Sequence, residues 1–449
     1  MPNYPEKWGQ MTPEEKRQHR LNATIDPSRL KFPNKEMEQA YLVRQKRIVD
    51  VYNVREPDRV PCNISFGNLA LKEGGVSLYD AMYHPEKALE ACAKFNAKYA
   101  AEFETSAMPW NIPGQVLDLL DLKLYSWPGH GLAKDGTTTW QFNENEYMTA
   151  DEYDDLIRDP SDFWIRTWFP RAFGLFEPMK MFQPFTNITE NVHIMQFMPL
   201  ATPQVQSMLQ KMLDIGKAYQ QSQQTSLRYL GGMGFGAGIS GVTFAKAPFD
   251  TLGDTLRGTT NIMKDMFRRP EKLLKALDVV ADLTINTVLK SAGIENALLI
   301  TYPLHKGADG WMSQKQFDTF YWPSLKKVMD AFIKEGLIQS LFAEGSFNTR
   351  LDYVKDFPKG SVVWLFDRTD MFKAKDILGK NFCIMGNVPA SMLVTGEPKD
   401  VKEYCKKLIE YCGKGGGFVL TSGSSPESPK LDNLRAMLAA AKEYGVYGK

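Results

Sequence analysis

Ala297-Leu298-Leu299-Ile300-Thr301-Tyr302-Pro303-Leu304-His305, Ile338-Gln339-Ser340-Leu341-Phe342-Ala343-Glu344 and Val362-Val363-Trp364-Leu365-Phe366-Asp367 decide the fold of this chain. Each is a short apolar run that closes on a polar or charged side chain. Two more runs follow, Phe382-Cys383-Ile384-Met385-Gly386-Asn387 and Gly417-Phe418-Val419-Leu420, the last leading into Thr421-Ser422-Gly423-Ser424. Helical patterns separate the five. Short apolar runs alternating with helices read as parallel strands with crossover helices. Chemistry-bearing residues at the C-terminal ends of such strands are the pattern of an α/β barrel enzyme. The expected fold is therefore a (β/α)8 TIM barrel over residues 51–449, with a helical arm over residues 1–50 and inserted loops.

The intervening stripes support this. Val401, Tyr404, Cys405, Leu408, Ile409 and Cys412 repeat at helical spacing and end at Gly413. Ser313 caps a helix carrying Phe317, Phe320 and Tyr321, and Pro323 breaks or kinks it before Leu325, Val328 and Met329 resume the stripe. Asp432 is expected to cap the last helix. Toward the N-terminus, Arg59 to Gly67 reads as the first core strand, Ser77 to Tyr99 as a helix and Phe103 to Trp110 as a second strand. Thr12-Pro13-Glu14-Glu15 is a helix start, and Lys35 to Val51 a second helix. This arm is expected to cross the outside of the barrel or to meet another subunit, which keeps a homo-oligomer in view. Residues 120–225 carry aromatics including Trp127, Trp140, Trp164 and Trp168 around an expected strand near 191–198. They either roof a pocket or pack as satellites on the barrel.

Composition narrows the function. The chain has 449 residues, 43% hydrophobic and 24% charged, enough for a large core without staples. A net charge of +1 does not favour nucleic acid or an anionic membrane as partner. No apolar run is long enough for a membrane span, and Met1-Pro2-Asn3-Tyr4-Pro5 lacks a secretory apolar core. Five cysteines without a Cys-x-x-Cys pair read as reduced thiols in a cytoplasmic protein.

Gly236-Ala237-Gly238-Ile239-Ser240-Gly241 matches a dinucleotide fingerprint in letters, but no strand precedes it and no helix start follows, so it reads as a rim loop. The candidate catalytic residues are Glu344, His305 and Asp367. A carboxylate closing an apolar strand must face water, a partner or a ligand. An imidazole on the same rim can move protons near neutral pH. The alternative for Asp367 is a loop-tying pair with Arg368. Tyr302, Lys306, Asn387, Ser422 and Ser424 are the candidate substrate contacts, although Asn387 also suits a turn before Pro389.

Ile384-Met385-Gly386-Asn387-Val388-Pro389, Met392-Leu393-Val394-Thr395-Gly396-Glu397-Pro398, Gly417-Phe418-Val419-Leu420 and Asn433-Leu434-Arg435-Ala436-Met437 resemble the uroporphyrinogen decarboxylase superfamily. Pro248-Phe249-Asp250, Leu256-Arg257-Gly258 and Pro57-Asp58-Arg59-Val60-Pro61 are similar to its earlier landmarks. The resemblance covers roughly residues 46 to 449 and implies a (β/α)8 barrel, with members divided between tetrapyrrole decarboxylases and corrinoid-linked methyltransferases. The decarboxylase branch has an arginine-rich motif after its first strand; the matching Asn63-Ile64-Ser65-Phe66-Gly67-Asn68-Leu69 has no arginine. The zinc-dependent, thiol-methylating members bind metal through His-x-Cys and a later Gly-Cys. The matching stretches here are Phe342-Ala343-Glu344 and Gly423-Ser424. Without soft sulfur ligands a thiol acceptor is disfavoured. Zinc would need other ligands, and Glu344 and His305 are the candidates.

The resemblance implies transfer of a methyl group from a small methylated substrate, foremost a methoxylated aromatic, to the cobalt of a corrinoid (cobalamin) carried by a separate protein. The alternatives are a decarboxylase or lyase whose substrate carboxylate is held by Lys306, Arg257 or Arg368, and a non-catalytic small-molecule-binding barrel.

Overall fold

The computed structural model describes residues 4–29, 32, 34–108, 112–186, 195, 197–231, 242–295 and 297–448. The glycine-rich stretch 232–241, with its fingerprint, and most of the expected strand near 191–198 lie outside the described residues.

Ten strands are numbered along the chain. The main sheet holds β1 (Cys62–Asn63), β5 (Val242–Phe244), β6 (Leu299–Leu304), β7 (Ile338–Ala343), β8 (Val362–Phe366), β9 (Cys383–Val388) and β10 (Phe418–Ser422). Every pairing among them is parallel, in the order β1-β10-β9-β8-β7-β6-β5. The five strands read from the opening runs thus form consecutive staves. Parallel neighbours need a crossover, and helices supply it. Trp322–Lys334 joins β6 to β7, Met371–Leu378 joins β8 to β9, and Pro398–Cys412 joins β9 to β10. The fold is α/β, a curled parallel sheet wrapped by helices.

Alternation along the strands separates two faces. Leu299, Ile338, Val363, Cys383 and Val419 form one apolar cluster on the concave face. Their neighbours Ile300, Tyr302, Leu341, Trp364, Ile384 and Leu420 belong to the larger cluster beneath the helices. Continued by twos, the concave face carries residues 301, 303 and 305, then 340, 342 and 344, then 365 and 367, then 385 and 387, and finally 421 and 423.

Seven staves are described where eight were expected. The segment expected as a second strand ends the helix Pro85–Phe103, turns at Glu104 (φ 56°), and runs without strand pairing through residue 108. One side chain does the pairing instead. Asn96 accepts from the Ala107 N–H at 2.7 Å and donates to its carbonyl at 2.9 Å. Both backbone groups are then satisfied without a neighbouring strand.

The arm departs from expectation. Its helices are α1 (Pro13–Ile25), opened by a Thr12–Glu15 capping box, and α2 (Lys35–Tyr52). Leu21, Val49, Val51 and Tyr52 join the concave cluster with the first residues of the strands. The arm therefore closes the N-terminal end of the barrel rather than strapping its outside. Lys16 pairs with Glu335 at 2.9 Å, Arg20 donates to the Glu335 and Ala297 carbonyls, and Arg17 donates to the Lys359 carbonyl. These acceptors precede strands or close the helix Trp322–Lys334, where cations suit the negative end of the helix.

The aromatic segment mostly packs. It contains β2 (Tyr125–Pro128), β3 (Gly131–Leu132) and β4 (Gln141–Phe142) in a small sheet. Trp127 is fully buried in a satellite cluster and donates to Tyr83 at 3.1 Å. Trp168 donates to the Thr255 carbonyl at 3.0 Å. The last helix starts at Leu431 with Lys430 as cap, and Asp432 falls in its first turn rather than at the cap. Among the described residues all five cysteines are free, and no helix is long and apolar enough to cross a membrane.

Candidate active site

His305 and Glu344 stand one residue beyond β6 and β7, and the sheet ladder carries on through them. The Glu344 N–H donates to the Leu304 carbonyl, and the Asp367 N–H to that of Ala343, each at 3.3 Å. Three consecutive staves thus bring His305, Glu344 and Asp367 to one rim. His305 and Glu344 face each other, Nε2 to Oε1, at 3.6 Å.

The rest of the cluster comes from the turn and helix after β5. Pro248 starts a short helix there, and Asp250 and Asp254 lie four residues apart on it, a spacing that puts both on one side. Asp250, wholly buried, accepts from the backbone N–H groups of His305 (3.1 Å) and Lys306 (2.9 Å) and from the Tyr321 hydroxyl (2.7 Å). It clamps the end of β6 in place. Asp254 collects three cationic groups: His305 Nδ1 at 2.8 Å, Lys246 Nζ at 2.8 Å and Lys306 Nζ at 2.6 Å.

These contacts set the protonation states. Burial opposes the imidazolium, but hydrogen bonds to Asp254 and Glu344 outweigh it and push His305 up to about 10. Burial also opposes the Asp254 carboxylate. Hydrogen bonds from His305, Lys246 and Lys306 nevertheless hold it well below the usual carboxylate range. Burial, with the charge of Asp254 adding, raises Asp250. At neutral pH His305 is thus a cation between two carboxyl groups, one buried and one, Glu344, with a side chain 48% exposed. The chain Asp254–His305–Glu344 holds a proton at the rim and presents it toward the opening.

The other predicted residues divide. Lys306 belongs to the cluster but is committed to Asp254 and to Thr259 Oγ1 at 3.0 Å. Asp367 lies against Gly423: a Cβ at that glycine would sit 3.2 Å from Asp367 Oδ1. Its pair with Arg368, at 3.6 Å, is a loose surface contact, since the Arg368 side chain is 81% exposed. Asn387 spends its amide on the carbonyls of Asp367 and Thr369 and accepts from the Tyr404 hydroxyl at 2.9 Å, so it fixes the loop after β8. Two substrate-contact expectations are corrected by parity. Tyr302 is fully buried on the helix-facing side, with its hydroxyl on Gln339 at 2.7 Å. Ser422 shares the outward parity of Phe418 and Leu420 and is buried. Ser424, past the strand, is half-buried. Arg257 is locked to Asp265 at 2.6 Å and to Glu146, which leaves it no role as a carboxylate clamp at the rim.

Sequence reasoning missed Asp250, Asp254, Lys246 and Tyr321. The usable signal was Pro248-Phe249-Asp250 with a second aspartate one turn on. At the same end of the sheet, a cavity of about 450 Å3 opens beside β1 and β10, with Ser65, Gly67, Met108, Trp140 and Glu427 in its wall. Trp140 is the member of the aromatic segment that meets the pocket expectation.

A zinc–thiolate set does not fit. Glu344 and Ser424 stand at the matching positions, His305 Nδ1 is engaged by Asp254, and the buried Cys383, Cys405 and Cys412 are core residues. Among the described residues no group of three or more His, Cys, Asp or Glu side chains is arranged to hold a metal ion.

A barrel-type α/β fold with an acid–base cluster on its C-terminal rim is the architecture of an enzyme. Residues 236–444 match the family model described as uroporphyrinogen decarboxylase (URO-D). The uroporphyrinogen decarboxylase of Actinobacillus succinogenes is 21% identical over 290 residues, covering 61% of this chain and 73% of that protein. That of Syntrophotalea carbinolica is 26% identical over 196 residues, covering 43% of this chain and 55% of its own length, so the match spans about half of that relative. Among solved structures, a methyltransferase from Methanosarcina mazei aligns over 90% of this chain and 98% of its own, with a TM-score of 0.55 and 15% identity. That likeness speaks to the fold, and it confirms the α/β barrel class expected from the strand runs.

Proposed function

We propose that this protein transfers a methyl group from a small methoxylated aromatic compound to a corrinoid carried by a separate protein. The observation that carries the reading is the Asp254–His305–Glu344 chain, with His305 Nδ1 2.8 Å from one carboxylate and Nε2 3.6 Å from the other.

Cleaving an aryl methyl ether breaks the carbon–oxygen bond, and the oxygen keeps the electron pair. A phenol has a pKa of about 10, as tyrosine does, so the leaving oxygen needs a proton or a Lewis acid as the bond breaks. A donor matched to that value transfers its proton as charge develops, an effect of typically 10²–10⁴-fold. His305, pushed up to about 10, is so matched. Asp254 fixes the imidazole through Nδ1 and keeps it charged. Glu344, half-exposed, holds the Nε2 side of His305 toward the opening, where the ether oxygen takes the proton. A reduced corrinoid, when bound, supplies the nucleophile that accepts the methyl group. The cavity beside Trp140 and Met108 suits an aromatic ring by size and lining.

The test mixes the protein with cob(I)alamin and a panel of methoxylated aromatics and follows the absorbance change that accompanies methylation of the corrinoid. Turnover that falls sharply in Glu344→Gln and His305→Asn, both still folded, is the expected result. No absorbance change with any donor, or full turnover in both variants, would sink the reading.

A further inference from the structure

The cavity of about 450 Å3 beside β1 and β10 carries chemistry that methyl transfer itself does not require. Its polar lining is Ser65, Asn68, Ser106, Thr139, Ser425 and Glu427: five neutral hydrogen-bonding side chains and one carboxylate. Among the described residues no lysine, arginine or histidine lines it. Glu427 is exposed, and no ion pair among the described residues offsets its charge.

One of these side chains lacks a partner. Ser65 and Ser425 hydrogen-bond to each other at 3.1 Å. The Oγ of Ser106 is buried with no hydrogen-bond partner. Its position is held, because the next residue, Ala107, has both backbone groups bonded to Asn96. A buried hydroxyl left unpaired is costly, and such a group calls for a ligand or an ordered water. A hydroxyl both donates and accepts. A ligand hydroxyl therefore answers both roles of Ser106, and an ether oxygen only one. The cavity also adjoins the catalytic cluster. Tyr125 stands edge-on to Trp140, with ring centroids 5.9 Å apart, and burial together with the charge of Asp254 raises the Tyr125 hydroxyl. The aromatic wall thus reaches from the cavity toward Asp254.

We infer that the substrate is an uncharged methoxyphenol, its free hydroxyl held by Ser106 and its ether at the far end of the ring, and that Glu427 excludes aromatic carboxylates. This rests on methyl transfer from a methoxylated aromatic. In the sheet β10, β9 and β8 stand between β1 and β7. A ring lying across the barrel mouth therefore has one end at Ser106 and the other toward His305 and Glu344, which favours substituents opposite each other on the ring. A phenol with a pKa of about 10 is uncharged at neutral pH. A ring carboxylate in the same place would meet the like charge of Glu427 with no cation in the wall to offset it.

Isothermal titration of the full-length protein, without corrinoid, with 4-methoxyphenol, methoxybenzene and 4-methoxybenzoate tests this. The expected order is 4-methoxyphenol tightest, methoxybenzene weaker and 4-methoxybenzoate weakest. Ser106→Ala should weaken 4-methoxyphenol by about threefold to tenfold, the scale of one neutral hydrogen bond, and leave methoxybenzene unchanged. Glu427→Gln, at an exposed position, should tighten 4-methoxybenzoate by about threefold to tenfold, the scale of one screened charge pair. An unchanged 4-methoxyphenol affinity in Ser106→Ala would mean that a water serves that hydroxyl, and a parallel loss of methoxybenzene would mean that Ser106 only supports the fold. Either result, 4-methoxybenzoate binding as tightly as 4-methoxyphenol, or no binding of any of the three, overturns the inference. The two readings fail separately. Methyl transfer to cob(I)alamin from other methoxylated aromatics, with 4-methoxyphenol bound no tighter than methoxybenzene, overturns the methoxyphenol assignment alone. The expected binding order without any methyl transfer overturns the transfer reading and supports the binding assignment.

Discussion

The two ends of the sheet are built from the same strands and opposite chemistry. At the N-terminal end, Leu299, Ile338, Val363, Cys383 and Val419 meet Leu21, Val49, Val51 and Tyr52 of the arm, and the cations of α1 end on backbone carbonyls or Glu335. At the C-terminal end, the same inward parity reaches His305, Glu344 and Asp367, where charges converge and one carboxylate stays half-exposed. One end satisfies its groups internally; the other leaves the Glu344 carboxyl group facing outward. A barrel separates stability and reactivity along its axis in this way.

The comparison can be broken most forcefully at the open end. Glu344→Gln should cut the proposed methyl transfer by about 10²–10⁴-fold yet shift the urea midpoint little, because an exposed carboxylate holds no core together. Asp254→Asn, in contrast, strands three cationic groups, and a broken buried pair costs about 3–5 kcal/mol. Urea unfolding should record that loss together with the loss of activity. At the closed end, Leu21→Ala removes a wholly buried side chain and should cost about 2–5 kcal/mol with unchanged turnover per folded molecule. Turnover falling in step with stability would show the ends to be coupled. Asn96→Leu, which removes both bonds to Ala107, should cost about 1–3 kcal/mol and speed hydrogen exchange at the Ala107 amide.

The smallest effect is in the pH dependence. The folded value of His305 is raised from 6.5 to about 10, so its contribution to stability is complete below pH 6.5 and is lost as pH rises through 10. Asp254 is lowered, so its contribution is present above 3.8 and lost as pH falls below that value. Stability of the wild type should therefore decline more between pH 8 and 10.5 than that of His305→Asn, measured by urea midpoints across that range.

The C-terminal staves were legible because each is a contiguous apolar run whose register is set by alternation alone. His305 and Glu344 were legible for the same reason: a polar residue closing such a run lands on the rim. Tyr302 and Ser422 were misplaced because strand ends were read without counting parity; two faces differ by one residue. Asp254 was invisible in a different sense. Carboxylates on a helical stretch ordinarily face solvent, and only the approach of β6 turns this one into the hub of three cationic groups. The second stave was misread because its apolar letters suit a strand, while Asn96, in the preceding helix, supplies the hydrogen bonds that a strand would need.

Gly423 gives the rim an unusual control. Its α-carbon is pressed so close to Asp367 that even a methyl group would sit 3.0 Å from the Asp367 carbonyl oxygen. Gly423→Ala would thus nudge a carboxyl group sideways without adding, removing or neutralising any charge. For a catalyst, location and ionisation are usually altered together; at this position the first can be varied while the second is held constant.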